Sequence, residues 1–382
     1  MTLDKFLALK PLYYDKIDYD RFPIIYKKIK KHFKLPKIIH IVGTNGKGST
    51  GRALAHFLHL NGLHVGHYSS PHIIKFNERI WIDGRDADDN TLELTHKELQ
   101  SLLSKEDIKA LSYFEYTTLL AMLIFCKKCD YIVLEAGLGG EFDATNVFEK
   151  ELSIVTPIGY DHESFLGTTI VQIATTKLRS VNNNLLLAKQ YEKDVYELAL
   201  SQVEDVNSNL YLAQSYLSDE FYKELDCFIE TKKYPSFFKD NFSTAFCAFE
   251  LLGFNVDVNL LEDLKLFGRC QKISSNVTID VGHNPMAAKV LLEHFREKKV
   301  ILIYNSYNDK EYKVILKILK PIIKEVQILR IENERVVLKS NLENVLNLLD
   351  IKYSLYEKIK KDEEYLVFGS FSVVERFLYV CQ

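Results

Sequence analysis

At 382 residues the chain exceeds the usual size of one domain, so two domains are expected. Its 47% hydrophobic and 26% charged residues are ordinary globular material with ample apolar surface for a core. A formal net charge of -3 excludes any general attraction to nucleic acid or to an anionic membrane, so a phosphate-bearing partner must be held by a local site.

The opening MTLDKFLALKPLYYDKIDYD alternates charge with apolar residues and has neither a signal-peptide core nor a cleavage site. The longest apolar stretches, such as TTLLAMLIFC, are too short to span a bilayer, and a cytoplasmic protein is expected. Six scattered cysteines do not form a disulfide framework. Cys126 and Cys129 make a CxxC at the end of an apolar helical run with no second pair downstream, and they read as packing residues.

Strands are predicted at KIIHIV (37–42), HVGHYS (64–69), YIVLEA (131–136), LSIVTP (152–157) and LLLA (185–188), with helices at Ser49 to Leu60 and Glu115 to Cys126. This alternation predicts an α/β fold, a doubly wound parallel sheet with helices on both faces. Residues 191–265 are more helical and more charged. The alternation restarts with NVTIDVG as strand, MAAKVLLEHFREKK as helix, VILIYNS as strand, EYKVILKILKPII as helix and VQILRI as strand. EEYLVFGSFSVVERFLYV closes the chain as strand, turn and helix. The boundary falls near LFGRC (266–270), giving a P-loop-containing domain over residues 1–267 and a smaller Rossmann-like domain over 268–382.

GTNGKGST (43–50) lies between a predicted strand and a predicted helix, the setting in which a glycine-rich loop binds phosphate. Gly43, Gly46 and Gly48 let backbone N–H groups approach an anion, Lys47 supplies charge for the β- and γ-phosphates, and the helix dipole near Ser49 points the same way. Asn45, Gly46, Lys47, Gly48, Ser49 and Thr50 are therefore the predicted ATP-binding set. A glycine separates the lysine from Ser49, so the loop departs from a strict GxxxxGK[ST]. A carboxylate at the carboxyl end of a strand, as Glu135 is, makes a natural Mg²⁺ ligand beside such a loop, and Ser70 at another strand end offers a hydroxyl.

Around this loop stand SSPH (69–72), FNERI (76–80), SYFEYTT (112–118), LEAGLGGEFDATN (134–146), DHESFLGTTIVQIATTK (161–177), FGR (267–269), DVGHNP (280–285), YNDKEY (307–312) and FGSFSVVERF (368–377). In this order and spacing the set resembles the folylpolyglutamate synthase/dihydrofolate synthase branch of the Mur-ligase superfamily. The resemblance implies an ATP-dependent ligase, a monomer, that joins L-glutamate to pteroate or folate. It implies one or two Mg²⁺ ions, held by Ser70 and Glu135 and, for the second, by His162. It implies that Lys177 is carried as a carbamate, although TKLRS stands here where the family commonly has EKAGI. Lys47, Lys177 and His162 would then be catalytic.

By the same resemblance Ser112, Tyr113, Phe114 and Glu115, with Phe142, Asp143 and Ala144, would contact the pterin. Phe114 and Phe142 suit stacking on a flat ring, and Asp143 could accept its hydrogen bonds. Glu141 stands where the family usually has Arg. Asn241 would lie on the nucleotide side, and Arg269, Asp280 and His283 of the second domain would contact ATP. Two rivals are weaker. A muramyl-peptide ligase usually carries a UDP-sugar domain before the loop, and some 36 residues precede the first strand here. A P-loop regulatory switch needs a base-reading NKxD, which NDKE (308–311) does not match.

Overall fold

Short apolar runs flanked by Gly, Pro and Ser become the central strands of two sheets, in a computed structural model that describes residues 1–11 and 18–381. The first sheet takes β1 (Lys37–Val42), β2 (Val65–Tyr68), β3 (Ile80–Ile82), β4 (Arg85–Asp86), β5 (Tyr131–Glu135), β6 (Leu152–Val155), β7 (Leu185–Leu187) and β8 (Leu210–Leu212). Their order is β4-β3-β2-β5-β1-β6-β7-β8. Six of these strands run parallel, and β3 and β4 add antiparallel pairs beyond β2. The chain leaves β1 toward β2 on one side and later returns to β6 on the other, so the end of β1 is a topological switch point where ligands bind.

Alternation of side chains divides this sheet into two faces. Ile38, Tyr68, Ile132 and Leu134 join the core around the helix Tyr113–Lys128, which is apolar on nearly every side and buried throughout most of its length. Val133, Ile39 and Ile41 alternate with them and are equally buried. A further core gathers Val155, Leu185 and Leu187 with the helices Ile170–Leu178 and Lys193–Asp205.

The second sheet contains β9 (Gln271–Ser274), β10 (Val277–Ile279), β11 (Val300–Tyr304), β12 (Ile323–Ile328), β13 (Tyr353–Leu355) and β14 (Tyr365–Phe368). The order is β13-β12-β11-β14-β10-β9, parallel except for β9. The expected α/β class, with a doubly wound sheet and a smaller Rossmann-like one, is therefore present. Two compact units result. One comprises Met1–Gly159, Glu163–Leu225 and Asp240–Leu264, the other Tyr160–His162, Asp226–Lys239 and Lys265–Gln382. No helix of the described residues is long and apolar enough to cross a membrane.

Candidate active site

In the first unit the loop after β1 turns sharply into the helix Lys47–Leu60, whose cap, Gly46, has φ +87°. A side chain there would be strained, and its Cβ would lie 2.6 Å from Asn241 Oδ1. Asn241 is thus laid against the loop, and Thr50 Oγ1 donates to its carbonyl at 3.4 Å. Thr44 and Asn45 donate their N–H groups to Pro157 O, which ties the loop to the segment after β6.

Lys47 Nζ donates to Gly43 O at 2.8 Å and to Thr44 O at 3.3 Å. Lys177 is buried, and its Nζ donates to the same Gly43 O at 3.1 Å. The helix that carries Lys177 also supports the loop after β5, because Glu141 N donates to Thr176 O at 2.9 Å. Phosphate loop, Asn241, Lys177 and the β5 loop are brought together in one unit.

Glu135 ends β5 and is buried, and Ser70 follows β2, the strand paired with β5. Both offer the hard oxygen donors that Mg²⁺ prefers, and Mg²⁺ commonly uses one or two protein ligands with phosphate oxygens and water. This pair fits such an ion. Among the described residues there is no group of three or more His, Cys, Asp or Glu side chains that could hold a metal alone. Cys126 and Cys129 are free thiols packed against the core, and the other four cysteines are free as well.

Several residues expected to touch the pterin have structural roles in the fold. Ser112 caps the helix Tyr113–Lys128, accepting from Glu115 N at 3.1 Å, while Glu115 Oε2 accepts from Ser112 N at 2.7 Å. Arg21 grips the same carboxylate through Nε and a terminal nitrogen, both at 3.0 Å. Tyr113 is buried with the Arg79 guanidinium 5.3 Å above its ring centre.

Asp143 accepts four hydrogen bonds. Gly137 N and Leu138 N reach Oδ2 at 2.9 Å, and Thr145 N and Oγ1 reach Oδ1 at 2.9 and 2.5 Å. Those use a carboxylate's usual four acceptor positions, so Asp143 braces its loop. Ala144 is core. Phe114, half-buried against Tyr68, and Phe142, exposed beside Tyr19 with ring centres 4.2 Å apart, keep surface for a ligand.

The second unit has its own polar centre, and Asp161 rather than His162 organises it. Lys310 Nζ donates to Asp161 Oδ1 at 2.6 Å, and His283 Nε2 and His162 Nε2 lie 3.5 and 3.8 Å from Oδ2. Burial alone would raise the Asp161 pKa, but the His283 hydrogen bond and the charges of His162, His283 and Lys310 hold it far below the usual carboxylate range. Asp280 accepts from Gly282 N and Cys270 N at 2.7 and 2.8 Å, and the Arg269 guanidinium lies 5.3 Å from the Phe371 ring centre.

Sequence reasoning missed Asp161 and Lys310, and also two buried histidines in the sheet. His40 Nε2 donates to Thr145 Oγ1 at 2.8 Å, since that hydroxyl spends its own proton on Asp143. Burial, with the charge of Lys150, pushes the His40 pKa well below its ordinary value and keeps the ring neutral. His67 Nε2 lies 2.6 Å from Glu135 Oε1. A histidine inside an otherwise apolar parallel strand was the available signal, because such strands are buried on both faces.

No family model matches the chain. The crystal structure of Helicobacter pylori folylpolyglutamate synthetase aligns over 99% of this chain and 97% of that one, at 40% identity and a TM-score of 0.79. The dihydrofolate synthase/folylpolyglutamate synthase of Haemophilus influenzae is 29% identical over 95% of this chain and 93% of its own length. Escherichia coli FolC, solved with DHPP and ADP, matches in fold with a TM-score of 0.84 at 24% identity, over 100% of this chain and 97% of its own. Two α/β units, with a phosphate loop at the switch point of the larger sheet, make up a P-loop fold of the Mur-ligase type. The chain belongs to the folylpolyglutamate synthase/dihydrofolate synthase family, enzymes that form amide bonds.

Proposed function

We propose that the chain uses ATP to join L-glutamate to a pterin-linked carboxylate, accepting both dihydropteroate and reduced folates. The observation that carries this reading is the convergence of Lys47 and Lys177 on Gly43 O within a chain that aligns over 97% of a folylpolyglutamate synthetase. A carboxylate does not condense with an amine in water, because it is a poor electrophile. Attack of the substrate carboxylate on the γ-phosphate gives an acyl phosphate and ADP. The α-amine of glutamate then displaces phosphate through a tetrahedral intermediate.

Lys47 and the loop N–H groups hold the phosphates and offset charge gathering on the transferred oxygens, so the protein contributes position and electrostatics. Mg²⁺, held by Glu135 and Ser70, would neutralise phosphate charge when bound. His162 is the proposed ligand of a second ion, and Arg269, Asp280 and His283 are proposed nucleotide contacts of the second unit. Phe114 and Phe142 are the proposed stacking surfaces for the pterin. A monomer in the cytoplasm is the proposed working state, in keeping with six free cysteines.

Lys177 is proposed to carry a carbamate. Two ammonium groups donating to one oxygen lie within about 6 Å of each other, where each disfavours charge on the other. Reaction of neutral Lys177 with CO₂ releases a proton and replaces that cation pair by an ion pair. Native mass spectrometry in bicarbonate reads the added CO₂ directly. A bare lysine there removes this element of the reading.

The reading as a whole is tested with purified protein, ATP, Mg²⁺ and glutamate, adding dihydropteroate or tetrahydrofolate. ADP release that requires both a pterin substrate and glutamate is the expected result. Incorporation of glutamate with neither pterin overturns it.

A further inference from the structure

Three elements meet at Glu135. Glu135 ends β5, His67 lies on the adjacent β2, and Gly51 is in the second turn of the helix Lys47–Leu60. His67 and Glu135 are both buried, with side chains only 1% and 3% exposed, and Nε2 is 2.6 Å from Oε1. A carboxylate that holds a cation is ionised and only accepts, so in that state the proton of this bond belongs to Nε2. Gly51 closes the arrangement. A Cβ on it would stand 2.7 Å from His67 Nε2 and 3.2 Å from Glu135 Oε1. The helix that opens with the phosphate loop therefore rests directly on the imidazole–carboxylate pair.

We propose that His67 is a positioning residue, which fixes one oxygen of Glu135 by a buried N–H donor and leaves the other oriented for a divalent cation at the phosphate loop. The proposal rests on the reading of Glu135 as a metal ligand. Its physical basis is orientation. A carboxylate at a strand end turns freely about its last bonds, and a ligand set held by a partner binds metal better than one that must be ordered on binding. Neighbouring strands and alternate faces supply the partner. Tyr68 turns into the core around Tyr113–Lys128, so the preceding His67 turns to the opposite face. Gly51 leaves the space in which the two side chains meet.

The experiment measures Mn²⁺ binding by electron paramagnetic resonance, in the presence of ADP, for the full chain and for H67L, H67Q and E135Q. Thermal unfolding by circular dichroism checks that each variant is folded. Glutamine can place an N–H near the position of Nε2, and leucine cannot. H67L is expected to bind Mn²⁺ about tenfold or more weakly, the usual range for loss of a partner behind a metal ligand. H67Q is expected to recover most of that affinity, which a purely structural role for the ring would not predict. The half-saturating Mg²⁺ for turnover should rise in H67L while the KM for glutamate stays unchanged. If E135Q loses Mn²⁺ but H67L does not, or if H67Q is as weak as H67L, the role of His67 is overturned. If E135Q binds Mn²⁺ as the unaltered protein does, Glu135 is not a ligand, and the reading beneath the proposal falls with it.

Discussion

Lys47 and Lys177 share one acceptor, the carbonyl oxygen of Gly43, at 2.8 and 3.1 Å. They come from the phosphate-loop helix and from the helix Ile170–Leu178, which are far apart in sequence. The shared oxygen makes the charge state of one lysine matter to the other.

That coupling predicts a requirement for dissolved CO₂. Turnover should fall when CO₂ is rigorously removed and return on adding bicarbonate. K177A should be slower by about 10²-fold or more, the scale of losing a charged group in a phosphoryl-transfer site. It should ignore bicarbonate and regain part of its rate with acetate. Steady-state assays of ADP release check this, and a K177A enzyme as fast as the unaltered protein refutes the coupling.

Glu115 separates a structural role from a substrate-binding one. Its carboxylate caps a helix and neutralises Arg21, with side chains only 10% and 19% exposed. E115A is expected to lose about 2–4 kcal/mol of stability in urea unfolding, because the cap is lost and a shielded guanidinium loses its carboxylate. Well below the unfolding temperature its KM for the pterin substrate should stay within about threefold, as for a residue that makes no uniform binding contact. A large rise in KM at unchanged stability would restore Glu115 to the substrate contacts.

Gly51→Ala should reverse the ordinary effect of that substitution. Inside an open helix it stabilises by about 0.5–1 kcal/mol. Here the new methyl meets His67 Nε2, and a net loss of about 1–3 kcal/mol is expected from overpacking. Circular-dichroism melting checks it, with an unchanged or higher midpoint as the contrary result.

Thiol chemistry should sort the cysteines by burial. Burial pushes Cys126 up to about 11 and Cys129 up to about 12. At pH 8 a disulfide reagent should therefore label exposed Cys227 quickly and leave this pair until the protein unfolds. The folded state holds these protons more tightly than the unfolded one. Their contribution to stability is then fully present below pH 9 and is lost as pH rises through 11 to 12. Rapid labelling of Cys126 at pH 8 would contradict both statements.

Long apolar runs made the central strands legible, since β1, β5, β6, β7, β11 and β14 lie within predicted segments. The edges were not. β3, β4, β8, β9 and β13 have two to four residues each, too few for a periodic signal. β12 begins at Ile323, inside a stretch read as helix, because Ile315, Leu319 and Ile322 continue a helical spacing up to a short 3₁₀ turn.

At the site, the phosphate loop was readable because glycines, lysine and strand–helix context coincide. Within SYFE the helix start went unread, although S-x-x-E is the signature of a capping box and Ser112 and Glu115 form one. Asp161 was passed over for His162 because nothing local tells a buried carboxylate from an exposed one. Its partners Lys310 and His283 are more than a hundred residues away.

The strand order bears on how the polypeptide emerges from the ribosome. β1 is among the first apolar strands made, yet both its neighbours, β5 and β6, are supplied only by residues 131–135 and 152–155. Until those are synthesised, both hydrogen-bonding edges of an almost wholly apolar strand stay open, a state prone to association with other chains. A nascent chain halted after β2 is therefore a natural client for a chaperone that shields extended apolar segments, and one halted beyond residue 155 much less so.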